Sequence, residues 1–422
     1  MQTSLPLPEP LGLRPSFGFG DRLGLATPGH IAACRMGRLL PIFAQQSVRE
    51  LTRTQRTPAE VMSAAQRGVH SEAWEGAWGA DGDHLKTEDD VKLLAGAGFT
   101  FFTIDPSAHV QNAADTLAGD DLRTAAEAVI ATGAWESLEQ LEHLHLGAWH
   151  ELPEVGRLGF EGRDTLYRAV VKYGGAIAYA AQMAAWIERE TARRGVDIEV
   201  SVDETDSPTS PLEHLFIGLE LRRRGVRAAS VAPRFIGEFE KGVDYKGDLA
   251  AFEASLRQHV AVAKHCGPYK ISVHSGSDKF AIYPIIGRVC GDLLHVKTAG
   301  TSYLEALRVV ARQAPRLFGQ IVEFARSRFE ADRASYHISA TLEAASPPEA
   351  LSMDAREEIY LNHPAGRQIL HVTFGSVLTA GKGPDGRVFK EAILETLDMH
   401  QDLHREVLAA HLGKHVRLLS EG

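Results

Sequence analysis

Four short apolar segments, far apart in this chain, end on polar residues in the same phase, and that repetition constrains the fold most. They read IEVSVDETD (198–206), YKISVHSGSD (269–278), LLHVKTAGTS (293–302) and QILHVTFGS (368–376). Successive side chains of a strand point to opposite faces. In that phase Val200, Val202, Ile271, Val273, Leu294, Val296, Leu370 and Val372 share one face. Ser201, Asp203, Ser272, His274, His295, Lys297, His371 and Thr373 share the other. An apolar outer face on helices, with a polar inner face ending in Asp and His, describes parallel strands converging on a site at their carboxyl ends.

Eight candidate strands can be counted: 17–20, 41–46, 99–105, 197–203, 227–232, 269–274, 292–297 and 368–373. Helical stretches separate them, such as KTEDDVKLLAGAG (86–98), with its acidic first turn and closing glycine. Strands alternating with helices imply a parallel sheet, and eight strands close a (β/α)8 TIM-type barrel. A chain of 422 residues suffices for one such barrel, so residues 1–422 are expected to form a single catalytic domain. Residues 110–195, after the third predicted strand, read as helical throughout and are expected to form a helical insertion capping the barrel rim. Helix 388–412 is expected to close the chain.

The net charge of −10 argues against a nucleic-acid or anionic-membrane partner, since such surfaces usually carry a basic face. Cys34, Cys266 and Cys290 show no CxxC spacing, which disfavours a disulfide framework or thiolate zinc site and fits a reducing compartment. No signal-peptide pattern and no run of roughly 20 apolar residues is visible, so a cytoplasmic, soluble protein is expected. FGFGDRLG lacks the full dinucleotide fingerprint, and P-loop, HExxH and GxSxG motifs are missing.

Asp203-Glu204-Thr205-Asp206 is the densest carboxylate cluster at a predicted strand end. Asp206 through Ser210, running into Pro211, read as helix caps. Asp203 and Glu204 lie too far upstream for capping, which leaves cation binding and proton transfer. A single strand-end histidine is more often a hydrogen-bonded core residue than a ligand. Three of them, His274, His295 and His371, beside those carboxylates make a donor set suited to divalent Zn, Mn, Co, Ni or Fe. At least two of the three are expected to be ligands. Their spacing does not say which two, and the third is left as an acid/base or a substrate contact.

Lys297 points inward by phase, and a buried lysine needs a substrate anion or a metal-site carboxylate as partner. Arg234 falls inward by the same count, as a carboxylate clamp. Further substrate contacts are expected from Ser275, Asp278 and Lys279 in the turn after His274 and from Thr298 after Lys297. Gln46 and Asp105, at the ends of earlier strands, complete that set. For Lys279 the alternative is an exposed lysine in an ordinary turn.

The segments FGFGDRLGLATPGHI (17–31), SVDETDSPTSPLEHLFI (201–217), SVHSGSDKF (272–280), HVKTAGTSYLEALR (295–308) and LNHPAGRQILHVTFGSVLT (361–379) resemble the tagaturonate/fructuronate epimerase family. The resemblance spans most of the chain. It implies a divalent-metal-dependent enzyme interconverting the small sugar acids D-fructuronate and D-tagaturonate in hexuronate breakdown, with neutral ketohexoses such as fructose and tagatose as further substrates of some relatives. It places the cation on Glu204 and the strand-end histidines, with Asp203 as proton acceptor.

The carbon inverted in that reaction lies β to the ketone, so simple enolisation cannot scramble it. Retro-aldol cleavage, rotation of the aldehyde and re-addition would invert it. Asp203 and Lys297 are then the expected catalytic residues, and Lys297, Lys279 or Arg234 holds the uronate carboxylate. Transient oxidation at the inverted carbon is the rival, and the missing nicotinamide fingerprint counts against it. A metal-dependent sugar aldolase or ketose isomerase would use the same residues. A non-catalytic sugar-binding protein would not need clustered His and carboxylate ligands.

Overall fold

Eight parallel strands close into a barrel in the computed structural model, which describes residues 5–192 and 194–422. In chain order the strands are β1 (Ser16–Gly20), β2 (Leu40–Ser47), β3 (Gly79–Leu85), β4 (Phe101–Ile104), β5 (His150–Leu152), β6 (Gly156–Leu158), β7 (Asp197–Val202), β8 (Ser230–Pro233), β9 (Lys270–Val273) and β10 (Leu294–Thr298). β5 and β6 form a separate antiparallel hairpin. The other eight run β1-β2-β3-β4-β7-β8-β9-β10, and β10 returns to β1 with Ser16 opposite His295 and Gly18 opposite Lys297. The outer-face residues Val200, Val202, Ile271, Val273, Leu294 and Val296 are all buried in one continuous core with the surrounding helices. The (β/α)8 barrel expected from the alternation is the observed fold.

Local chemistry sets the helix starts. Thr57, Thr87 and Ser210 each close a capping box with the residue three positions on, which satisfies backbone donors that the first turn leaves unpaired. The amino end of the barrel is closed by the lead-in segment: Leu11 N and Gly12 N donate to Asp197 Oδ2 at 2.7 and 3.0 Å. Leu11, Ile42 and Phe101 form a small apolar plug there.

Two strand assignments change. Residues 79–85, GADGDHL, are a barrel strand although only Ala80 and Leu85 are apolar. The outward sites are small for a reason: a Cβ on Gly82 would fall 3.1 Å from Leu94 Cγ. Residues 368–373 form no strand: 368–372 lie within the helix Pro364–Val372, whose residues Ala365–Val372 are all buried, and Thr373 is its C-cap. A helix covered on every side has no solvent face to reveal its 3.6-residue period, so its apolar run passed for an alternating strand.

Those changes shift the rest of the count. The long insertion follows the fourth barrel strand, and it includes the β5–β6 hairpin as well as the helices Gly119–Val129, Leu138–His145 and Arg163–Glu190. The chain closes with two helices, Phe389–Met399 and Gln401–Glu421, where one was expected. A second apolar core lies among the helices Thr301–Gln313, Pro315–Asp332, Pro364–Val372, Phe374–Thr379 and Phe389–Met399. Among the described residues, no helix is long and apolar enough to cross a membrane.

Candidate active site

The carboxyl ends of β2, β3, β7, β8, β9 and β10 open into a cavity of about 350 Å³. Its floor is charged. Lys297, two residues from the inward His295 on β10, places Nζ 2.8 Å from Asp81 Oδ2, 2.9 Å from Asp83 Oδ1 and 2.9 Å from Glu199 Oε1. It also donates to Thr103 Oγ1. One ammonium therefore serves three buried carboxylates. Burial opposes ionisation of all three, but Lys297 holds Asp83 and Glu199 well below the usual carboxylate range, with His84 and His274 assisting. Asp81 is left as the group that cannot be fully compensated. Burial raises it to about 7, with Asp83 and Glu199 adding to the rise against the pull of Lys297.

Two histidines face this cluster, and each is held from behind by a carboxylate. His274 Nε2 lies 2.7 Å from Glu199 Oε1, leaving Nδ1 turned 3.3 Å from Asp203 Oδ2 but out of line for a hydrogen bond. His84 Nδ1 lies 3.1 Å from Asp105 Oδ2, and its Nε2 faces Asp83 Oδ1 at 3.7 Å. The two rings meet edge to face with centroids 4.9 Å apart. Burial alone would favour the neutral imidazole, but Asp203 and Glu199 raise His274 to about 10, and Asp83 with Asp105 raises His84. His84, with φ 51°, and Ser275, also with φ 51°, hold left-handed backbone at the ends of β3 and β9. Such strain in non-glycine residues gathers where side chains must be aimed.

The upper wall comes from a strap at residues 233–242, from Ser335, Tyr336 and His337, and from His371. The strap is tied down by Glu240, which accepts from Gln368 Nε2 at 2.8 Å, from Ser339 Oγ at 2.8 Å and from Lys246 Nζ at 2.8 Å. None of the residues lining the cavity belongs to 110–195, the segment expected over the rim.

The residues expected from the sequence divide into three groups. Asp203, Glu204, Arg234, His274, Ser275, Lys297 and His371 line the cavity. Lys297 meets Asp81, Asp83 and Glu199, none of which is among the residues expected to hold the cation. Glu204 is half exposed at the rim, where a ligand atom from each of His84, Asp105 and Glu204 lies within 4.8 Å of the others. His371 reaches the wall from a helix, with Nδ1 unpartnered, and burial pushes it well below the usual imidazole range.

A second group is buried outside the lining. His295 sits deep in the barrel with Nδ1 2.9 Å from Ser16 Oγ, and burial keeps it neutral. Thr298 donates to Gly18 O at 2.8 Å. Gln46 is buried away from the cavity, and Gln45 takes the place on its wall, because the β1–β2 and β2–β3 pairings shift register along this strand. Asp105 supports His84 from behind.

The third pair belongs to a different contact. Asp278 pairs with Arg367 Nη2 at 2.7 Å and His411 Nε2 at 2.6 Å, tying the turn after β9 to two helices. Lys279 is fully buried and donates to Glu240 O at 2.8 Å and Ser277 O at 3.0 Å, so neither the substrate role nor the exposed turn expected for it is seen.

Sequence reasoning missed Asp81, Asp83, His84, Glu199, Arg49 and Lys241. Glu199 could have been found, since it shares the inward phase of Ser201 and Asp203 in IEVSVDETD. The run Asp81-Gly-Asp83-His84 falls in none of the eight candidate strands, because a strand made of site residues shows no apolar alternation.

Comparison with known proteins identifies the family of the chain and its fold. A family model described as tagaturonate epimerase matches residues 1–419. The chain is 43% identical over 413 residues to the tagaturonate/fructuronate epimerase of Thermotoga maritima, covering 98% of this chain and 82% of that protein. Its fold superposes with a TM-score of 0.91 and 38% identity on the glycerol-complexed crystal structure of fructuronate-tagaturonate epimerase UxaE from Cohnella laeviribosi, covering 98% of this chain and 83% of the other. The native crystal structure of the same enzyme gives a TM-score of 0.90. Matched along nearly its whole length in sequence and in fold, this chain belongs to the tagaturonate epimerase family.

Proposed function

We propose that the chain is an isomerase interconverting D-fructuronate and D-tagaturonate, with a divalent cation held by His84, Asp203 and His274. The observation that carries the cation site is the pair of rear-anchored histidines. A ligating imidazole characteristically gives its other nitrogen to a carboxylate, and His84–Asp105 and His274–Glu199 both have that form. The buried, unpartnered Nδ1 of His274 beside Asp203 Oδ2 fits a position for an ion. Glu204 is close enough to His84 to join from the rim. With nitrogen and oxygen donors and no thiolate, Zn, Mn, Co, Ni and Fe all suit the set. When bound, such an ion would act as a Lewis acid on the ketone and α-hydroxyl oxygens.

Asp203 is then better used as a ligand than as the proton acceptor, and the acceptor role passes to Asp83. Its carboxylate lines the cavity and is kept ionised by Lys297 at 2.9 Å. In the retro-aldol direction Asp83 takes the β-hydroxyl proton as the bond between the α and β carbons breaks. The bonding electron pair stays on the ketone-bearing fragment. Rotation of the aldehyde and re-addition to its other face re-forms the bond, and the proton returns from Asp83 to the new alkoxide.

The test is epimerisation of D-fructuronate and D-fructose side by side, before and after EDTA treatment and with each metal added back, with product stereochemistry read by NMR. Loss on chelation and recovery with one ion are expected. Full activity in exhaustively chelated, metal-free protein would remove the cation, and no epimerisation under any condition would remove the function. Exchange of labelled fragments between two substrates supports cleavage and re-addition over transient oxidation.

A further inference from the structure

The proposed substrates are anions, yet the cavity floor presents Asp83 and Asp203, with Glu204 at the rim. An acidic sugar entering there needs cations elsewhere on the wall. Besides Lys297, which is committed to the floor carboxylates, three line it: Arg49, Arg234 and Lys241. Among the described residues none of them pairs with a carboxylate, and Lys241 Nζ donates only to Ser275 Oγ, at 2.6 Å. Lys86 stands near the same rim, but its charge is committed to Asp105 at 3.1 Å and Glu204 at 3.7 Å.

Of the three, Arg49 is the best placed to read a carboxylate. It lies in the first turn of the helix Val48–Thr54, directly after β2 and the capping Ser47, so the barrel scaffold fixes its backbone. Glu50, the helix's one acidic residue, is turned inward to Arg22 at 2.9 Å and cannot neutralise it. The Arg49 guanidinium rests over the Tyr336 ring, 5.7 Å from the centroid. Tyr336 is in turn fixed by Arg53, which donates to its hydroxyl and stacks at 5.3 Å. A guanidinium laid on an aromatic face keeps its planar fork of donors free for bidentate pairing. Lys241 is held by Ser275 instead, and burial, with the neighbouring Arg49, lowers its pKa against the favourable charge of Asp203.

We infer that Arg49, braced by Tyr336, pairs with the substrate carboxylate and is the residue by which the cavity prefers a hexuronate to a neutral ketohexose. This rests on the epimerase reading of the cavity. A bidentate charged hydrogen bond, lost from one substrate and never present in the other, separates their kinetics.

The experiment compares wild type, R49Q, R49K and Y336A on D-fructuronate and D-fructose, with fructose used as a competitive inhibitor if it is not turned over. R49Q should lower kcat/KM for fructuronate by about 10- to 100-fold, chiefly through KM, and leave fructose kcat/KM or Ki within about threefold. R49K, which keeps the charge without the fork, should fall between, and Y336A should weaken fructuronate more than fructose. Arg49 is exposed, and an unchanged melting temperature would show that the variants fold. An equal loss on both substrates, or no loss on fructuronate, would overturn the inference while leaving the epimerase reading intact. A wild-type protein inactive on fructuronate would instead remove the reading itself.

Discussion

Glu199 on β7 and His274 at the end of β9, with β8 between their strands, share a 2.7 Å contact between Oε1 and Nε2 that sets the direction of the whole site. With Nε2 committed to Glu199, the ring can only turn Nδ1 toward Asp203. The same Glu199 oxygen is 2.9 Å from Lys297 Nζ, so one carboxylate orients a ligand and neutralises a buried ammonium.

Replacing Glu199 by Gln should disturb His274 more than the fold. Loss of a carboxylate behind a ligating histidine typically costs about 10- to 100-fold in metal affinity. Titration of metal-free E199Q with Zn or Co should show that weakening while circular dichroism stays native. Wild-type affinity would count against the role given to His274.

Lys297→Met removes the ammonium and strands Asp81, Asp83 and Glu199 in a buried setting. Breaking one partner out of a buried charged cluster costs about 3–5 kcal/mol. Asp81→Asn should cost about 1 kcal/mol or less, because Asp81 sits near 7 and its negative charge is the surplus one. Urea unfolding near neutral pH would rank the two, and a D81N protein as unstable as K297M would contradict the charge count.

The Asp278–His411 contact makes stability depend on pH. His411 is raised above its unfolded value by Glu305 and Asp278, against burial, so its contribution is complete below about pH 6.5 and is lost as pH rises through the folded value. Asp278 is held well below the usual range by Arg367 and His411, against burial, so its share is present above about pH 4 and is lost on acidification through the folded value. Melting temperatures of wild type and H411N should therefore differ most near pH 5.5 and converge toward pH 9. A constant gap across that range would refute the linkage.

A methyl group at Gly300 would fall 2.1 Å from His371 Cε1. G300A should therefore displace His371 and destabilise the protein by about 1–3 kcal/mol, the usual cost of overpacking. In an H371A background the same change should be nearly neutral. Chemical denaturation of the four proteins of that double-mutant cycle would show the coupling, and additive effects would mean that the two residues do not press on each other.

Much of this molecule could be read from residue order. The segments around Val200–Val202, Ile271–Val273 and Leu294–Val296 alternate because one face of each strand packs on helices and the other faces the barrel interior. Asp203, His274 and Lys297 lie on that interior phase and line the cavity. The same rule failed where its physical basis was absent. β3 turns Asp81 and Asp83 inward and has only Ala80 and Gly82 on the matching outward sites, and QILHV is buried all round because a covered helix is apolar on all sides.

Sequence alone determined the barrel class and the inward phase of Asp203, His274 and Lys297, because the alternation that encodes them is local to β7, β9 and β10, and the kinship to the epimerases, because five long segments carry it. Only the tertiary structure decided which charges meet. Burial of Lys297 among residues from three strands, the anchoring of His84 by Asp105 and of His274 by Glu199, and the withdrawal of His295, Asp278 and Lys279 from the cavity all depend on distances across the barrel. Electrostatic partners are chosen by proximity in a low-dielectric interior, and spacing along the chain carries no record of that proximity.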